Sequence, residues 1–276
     1  MPGHTLPPVN DALTRRLDGA AVGFVSEWLA GVAAMPGNPL GLRLATFGRA
    51  LAAAATGAPE LDFLNRVHGL HDAGRLPEIM GFYSGTGVRP WFEVIPTEEG
   101  AEVAGVVALA GAVPISYATF LYGLPDPTPG ADQDGPQVRP VEDQEVETFS
   151  DVLLRGHGVP EAELPLARAR QRHWRDQPGW TLYLATVDGE PAAAAVLRAR
   201  EGVGYLANAA TLPAFRGRGC QTALLRRRVA DAAVAGCDLV AGQATFGSIS
   251  QRNMQRLGLL PAFTVTTWRM RAPIGV

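Results

Sequence analysis

The sequence predicts an α/β protein built from two tandem domains of similar architecture. Three observations carry that expectation. The C-terminal half alternates strand and helix signals in the order β-α-α-β-β-β-α-β-α-β. Leu124–Pro136 is rich in Pro, Gly and Asp, lacks hydrophobic periodicity and divides the 276 residues into near-equal halves. Three short segments also recur in the same order in both halves. Leu42-Arg-Leu-Ala-Thr-Phe47 resembles Leu182-Tyr-Leu-Ala-Thr-Val187, Leu64–Leu70 falls where Leu206–Leu212 would, and Gly111-Ala-Val-Pro114 matches Gly258-Leu-Leu-Pro261. The expected boundaries are a first domain over 1–126, a linker over 127–136 and a second domain over 137–276.

Each element of the second half has its own local cause. Gln137–Val141 reads as a strand, and Glu142–Arg155 and Glu161–Arg175 as helices. Trp180–Val187 and Pro191–Arg198 flank Asp188-Gly189, a strong two-residue hairpin signal. Gly202–Leu212 reads as one strand. Gly219–Ala235 reads as a helix with Leu225, Val229 and Ala232/Ala233 inward and Arg226–Arg228 outward. Asp238–Ala244 is a strand. Ser248-Ile-Ser-Gln251 has capping-box form and opens a short helix that Gly258 closes before a last strand, Phe263–Met270. In the first half, Leu61–Leu70 and Trp91–Ile95 are expected to be neighbouring strands, and Leu76–Ser84 a helix. Each half stops one strand after its last helix, at Tyr122 and at Met270. An unfinished sheet leaves unpaired edge groups, so the two sheets are expected to pack edge to edge or exchange strands.

Composition narrows the function. Hydrophobic residues make up 47% and charged residues 18%, enough for a substantial core. The net charge of −3 gives no basic face for phosphate backbones, so no nucleic-acid partner is expected. The two apolar stretches Gly19–Ala34 and Val103–Val113 fall short of the ~20 residues that span a bilayer, so no membrane partner is expected either. Two cysteines, Cys220 and Cys237, make no disulfide framework, and a cytoplasmic location fits. No Cys/His/Asp/Glu spacing suggests a metal.

The chemistry concentrates in Ala209-Ala-Thr-Leu-Pro-Ala-Phe-Arg-Gly-Arg-Gly-Cys-Gln-Thr222. A strand enters a glycine-bearing turn, and the turn opens a helix. Free N–H groups at a helix start form an anion site, and Gly217 and Gly219 let backbone approach a ligand closely. A pyrophosphate is the natural guest. The Lys-Ser/Thr of a Walker loop and the full G-x-G-x-x-G run are both missing. Cys220 sits where a helix start lowers thiol pKa, though burial against the sheet is the expected fate. His157, His173, Glu161 and Glu163 read as surface residues, and Trp174 and Trp180 as core.

Here the sequence resembles the GNAT acetyltransferases. Arg216-Gly-Arg-Gly219-Cys-Gln221 is similar to the family's [Arg/Gln]-x-x-Gly-x-[Gly/Ala] turn. Asn253, followed by Gly258-Leu259 and a final strand, is similar to its Asn-helix-Gly-Phe segment. The resemblance implies a mixed, mostly antiparallel sheet flanked by helices, acetyl-CoA as cosubstrate without a metal, and transfer of the acetyl group to a primary amine of a small molecule or protein. It implies donor contacts from Ala209, Ala210, Thr211, Gly217, Arg218, Gly219, Cys220, Gln221, Thr222 and Asn253. Two positions depart from the pattern. Gln221 replaces Gly or Ala. Met254 stands where many members place the Tyr that protonates the leaving thiolate, and a thioether cannot donate. No catalytic residue is assigned, and Asn208 on the preceding strand is the candidate. Met254 also motivates an alternative, a non-catalytic acyl-CoA-binding or scaffold protein. The first half has His68-Gly-Leu-His71-Asp-Ala-Gly74 in place of the turn, and is expected to be a degenerate GNAT-like domain that serves structure or walls the acceptor cleft. The oligomeric state stays open, a homodimer included.

Overall fold

A computed structural model of the chain describes residues 5–128 and 135–271; most of the expected linker, 129–134, lies outside the described residues. The first half runs α1 (Asp11–Ala33), β1 (Leu42–Phe47), β2 (Ala50–Ala55), β3 (Arg66–His68), α2 (Leu76–Tyr83), β4 (Trp91–Val94), α3 (Glu98–Leu109) and β5 (Ala112–Gly123). The second runs β6 (Gln137–Pro140), α4 (Val146–Gly156), α5 (Leu164–Ala169), β7 (Trp180–Val187), β8 (Glu190–Arg200), β9 (Val203–Tyr205), β10 (Ala209–Thr211), α6 (Cys220–Val234), β11 (Leu239–Thr245), α7 (Ile249–Arg256) and β12 (Leu260–Met270).

These elements form two compact units that are not the two contiguous halves. The N-terminal unit takes residues 9–119 together with 263–271, and the C-terminal unit takes 5–8 with 120–262. Each half therefore lends the end of its last strand to the other unit, one of the two outcomes expected from the unfinished sheets. In the N-terminal unit the strand order is β1-β2-β3-β4-β12-β5. There β12 pairs antiparallel with β4, Trp268 opposite Phe92 and Thr266 opposite Val94. In the C-terminal unit the order is β5-β11-β9-β8-β7-β6, with β10 on β8, and β5 contributes Phe120–Gly123. The Tyr122 hydroxyl donates to the Pro7 carbonyl at 2.8 Å, tying residues 5–8 to that same unit.

The repeat is real at the level of topology. β1 and β2 form a hairpin, as do β7 and β8. β3 then runs parallel to β4, as β9 runs parallel to β11, with α2 and α6 as the respective crossovers. The third repeated segment opens β5 in one half and β12 in the other. Local causes match the sequence in most places. Asp188 and Gly189 adopt φ of 54° and 82° between β7 and β8, Ser248 Oγ accepts from the Gln251 amide at 3.1 Å, and Gly258 closes α7 with φ 86°.

Three local readings need correction. Glu161–Arg175 is not one helix: α5 covers only six residues between two 3-10 turns, because Pro165 fixes a start and the following residues turn into the sheet. Gly202–Leu212 is not one strand but β9 and β10 separated by a bulge. Arg228 does not reach outward. It is fully buried, on the same stripe of α6 as Leu224 and Ala232, because residues four apart share a helix face.

The core of the N-terminal unit lies on both faces of its sheet. Ala52, Val67 and Phe92 pack with Ile79, Val103 and Val107 on one face, and Leu51 and Ala53 pack with Leu29 and Val32 of α1 on the other. In the C-terminal unit, Tyr183, Ala193, Ala195 and Leu197 pack against Leu224, Leu225 and Ala232 of α6.

The exchange gives a direct expectation. A chain ending at Ala262 lacks the strand that pairs with β4. Hydrogen exchange is expected to show loss of protection at the β4 amides; a truncated chain in which these amides stay as protected as in the full chain would contradict the assignment of residues 263–271 to that unit.

Candidate functional site

The site is made where one strand changes partners. β9 is bonded on both sides, to β8 and to β11. The last rung toward β11 is the Leu206 amide donating to the Ala241 carbonyl at 2.7 Å. Then Leu206-Ala207-Asn208 oppose only Val196 and Leu197, a bulge with one extra residue. Asn208 takes a left-handed φ of 30°. Beyond it β10 pairs with β8 alone. Val196 N–H donates to Asn208 O at 3.1 Å and Leu212 N–H to Ala192 O at 2.9 Å. Antiparallel strands alternate the side to which their polar groups point. The amides and carbonyls of Ala209 and Thr211 therefore face away from β8, into a gap that β11 has left.

That gap opens into a cleft of about 630 Å³. Ala209, Ala210 and Thr211 line one wall, and Ile249, Ser250 and Asn253 of α7 line another. The start of α6 forms its end, through Gly217, Gly219, Cys220, Gln221 and Thr222. Gly217 and Gly219 have φ of 79° and 82°, a region that costs other residues about 1–2 kcal/mol. A Cβ at Gly217 would meet nothing within 4 Å, so its glycine serves backbone conformation and leaves the surface open. The first intrahelical bond of α6 runs from Ala223 N–H to Gly219 O, and no side chain caps the helix. The amides of Cys220, Gln221 and Thr222 are thus left for a guest, at the positive end of a 15-residue helix.

Nine of the ten donor-contact residues inferred from the sequence meet in this one cleft; Arg218 does not line it. Its guanidinium pairs with Asp188 at 2.7 Å and lies over the Phe215 ring. Arg216 folds back instead, its Nη2 donating to Gly156 O at 3.3 Å and its Nε to Thr211 O at 3.4 Å. Gly156 is required where α4 ends against β10, since a Cβ there would fall 2.7 Å from the Ala210 methyl. Asn208 is exposed at the bulge and is not among the lining residues. His157, at the rim, does line the cleft, and desolvation holds its imidazole below the ordinary value. No Asp or Glu is among the lining residues.

The departures from the family pattern also find places. Met254 is buried, its methyl 3.1 Å from where a Cβ of Gly242 would lie, so it fills space between α7 and β11. Cys220 is only 2% exposed, and burial pushes its thiol up, ahead of the lowering by its own backbone amide and by Arg218. The helix-start argument for a reactive thiol fails because desolvation outweighs it. Trp174 and Trp180 pack edge to face at 5.7 Å in the core. Glu161 forms an exposed pair with Arg155.

The N-terminal unit has a turn in the same topological place but a different geometry. Val67 of β3 pairs with Ala52 on one side and Phe92 on the other, as β9 is paired on both sides, but among the described residues no strand equivalent to β10 follows before α2. The following turn is closed by its own carboxylate, Asp72 Oδ1 accepting from Gly74 N–H at 2.9 Å. Among the described residues no group of His, Cys, Asp and Glu could hold a metal ion, and no helix is long and apolar enough to cross a membrane.

Comparison with known proteins agrees with this fold. Residues 146–258 match the family model described as Acetyltransferase (GNAT) family. The whole chain is similar in fold to a GCN5-related N-acetyltransferase from Kribbella flavida, at 19% identity, 92% of this chain, 96% of that chain and TM-score 0.63. It is similar to a tandem GNAT protein from the clavulanic acid biosynthesis pathway, at 16% identity, 98% of each chain and TM-score 0.63. A GCN5-related N-acetyltransferase from Sphaerobacter thermophilus matches at 15% identity, 99% of each chain and TM-score 0.58. No curated protein matches in sequence.

The raised, buried thiol predicts that Cys220 resists alkylation. Iodoacetamide at neutral pH is expected to leave it unmodified in the folded protein and to label it after denaturation. Rapid labelling of the native protein would show that the helix start dominates after all.

Proposed function

We propose that the GNAT-family domain spanning residues 146–258 transfers an acetyl group from acetyl-CoA to a primary amine of a small molecule or protein. The observation that carries the reading is the meeting of two backbone arrays with open groups in one cleft, Thr211 O on the β10 edge already accepting from Arg216. The uncapped start of α6 offers amides suited to a pyrophosphate. The freed edge of β10 offers alternating amides and carbonyls suited to the amide-bearing arm of the same donor. A molecule with a pyrophosphate at one end and two amides along its length fits both.

When bound, acetyl-CoA supplies an activated acyl carbonyl and a thiolate leaving group. The chain contributes position and polarity. β10 orients the donor by main-chain hydrogen bonds, so the acceptor amine meets a fixed carbonyl. Backbone N–H groups after the bulge are placed to polarise a developing oxyanion. Gln221 leaves the helix start open despite its side chain. No carboxylate among the described residues lines the cleft, so the amine proton leaves through water, to solvent or to the His157 imidazole that lines the cleft. Met254 cannot protonate the thiolate, but a thiol of pKa ~8.5 departs without help. Met254 also favours a second reading, an acyl-CoA-binding protein without turnover. The N-terminal unit, without a strand like β10 after β3 and with its turn closed at Asp72, is proposed as a GNAT-like unit without a donor site.

Calorimetry on the full chain tests donor binding. Gly219→Asp and Gln221→Glu are each expected to weaken acetyl-CoA at least about tenfold, roughly 1.4 kcal/mol. Gln221→Glu favours the helix dipole, so its melting temperature should not fall. Unchanged affinity in both folded variants contradicts the site. Release of free CoA over a panel of amines separates the two readings, turnover supporting the enzyme and binding alone the second. Met254→Leu should keep turnover and cost less than about 1.5 kcal/mol of stability; a collapse of turnover with donor affinity intact would give Met254 a role denied to it here.

A further inference from the structure

Arg228 is the most unexpected side chain in the C-terminal unit. It is 0% exposed, on a helix face otherwise built from Leu224 and Ala232, and its partners among the described residues are carbonyls, with no carboxylate among them. An unpaired cation in such a place is costly unless its donors are used. Two of its three nitrogens are used, on three carbonyls, while Nη2 is buried without a hydrogen-bond partner among the described residues. Nε donates to Leu224 O at 3.1 Å, within α6, while Nη1 donates to Val196 O at 3.0 Å and to Ala207 O at 3.1 Å.

The last two acceptors are the carbonyls of the bulge. In a regular antiparallel rung, Val196 would give its N–H to one partner residue and receive that residue's N–H in return. The first half of the exchange is made, Val196 N–H reaching Asn208 O and Ala207 O. The second half is not: the left-handed turn at Asn208 carries its amide away, and Val196 O takes the guanidinium instead. Arg228 thus substitutes for the rung that the bulge removes. It does so at the residue where β9 leaves β11 and β10 begins to face the cleft.

We propose that Arg228 is the positioning residue that holds this bulge, and through it sets the free edge of β10 for the acyl donor. The inference rests on the donor reading above, but its structural part can be tested without a donor. Burial lowers the guanidinium to about 10, with Tyr183 opposing, so it stays charged at neutral pH and its donors stay available.

The full chain carrying Arg228→Met, which keeps the aliphatic stem, and Arg228→Lys, which keeps the charge with fewer donors, provides the test. Hydrogen exchange in the absence of ligand is expected to show at least tenfold loss of protection at Val196 in Arg228→Met. Protection at Leu182 and Leu184, on β7 of the same sheet, should be unchanged. Acetyl-CoA should bind at least tenfold more weakly to Arg228→Met, with Arg228→Lys intermediate in both measurements. A merely structural role would lower protection throughout the unit and would show no graded recovery with Lys. Unchanged protection at Val196 in either folded variant overturns the proposal, as does unchanged donor affinity where protection has fallen. If the unaltered protein binds no acetyl-CoA, the donor reading fails, and the exchange data still decide whether Arg228 holds the bulge. Should Arg228→Met fail to fold, Arg228→Lys alone must show the partial loss at Val196, and its absence rejects the role.

Discussion

A backbone amide inside a sheet can bond a neighbouring strand or a ligand, but not both. The C-terminal unit depends on how that choice is made along a single strand. At Val203–Tyr205 the strand is bonded on both sides and belongs to the core. Three residues of bulge later it is bonded on one side only. The cost of leaving β10 half-paired is tolerable because the freed groups face a solvent-accessible cleft, where water serves them until a ligand does. Everything assigned to the site follows from that split: the direction of the Ala209 and Thr211 amides, the width of the cleft, and the path that delivers the chain to the start of α6.

The N-terminal unit supplies an internal comparison with nearly the same connections. Its hairpin, parallel crossover and helix are all present. Its strand β3 is paired on both sides like β9, but among the described residues no half-paired strand like β10 follows it, and its turn spends the amide of Gly74 on Asp72. In the C-terminal unit backbone groups are left open at one strand and one helix start, and they make a candidate site. The difference lies in a few residues of turn and bulge rather than in the fold.

Much of this was legible in the sequence because it is written locally. Asp188-Gly189 encodes its hairpin by backbone preference, Ser248 and Gly258 mark the ends of α7, and Gly217 and Gly219 mark a turn that only glycine enters without strain. The exchange of strands was one of two expected outcomes, with edge-to-edge packing the other, because a single strand follows the last helix of each half. The bulge was not legible. Neither Gly nor Pro flags it, and Asn208 alone, in a left-handed conformation that Asn tolerates, is a weak sign. Arg228 was misread because three consecutive arginines suggest a solvated face. The spacing held the contrary signal: position 228 lies four residues from both Leu224 and Ala232, on the stripe that faces β8. Arg218 and Cys220 were each placed correctly in the chain, but a side-chain partner and desolvation, which only the folded chain reveals, decided what they do.

The most direct measurement is an amide chemical-shift map of the full chain during titration with acetyl-CoA. The account predicts large perturbations at Ala209 and Thr211 and across Gly217–Thr222, with the equivalent turn of the N-terminal unit, Gly69–Arg75, unmoved. Perturbations confined to Gly69–Arg75, or none at Ala209 and Thr211 under saturating donor, would contradict the claim that the split strand and the open helix start together form the donor site.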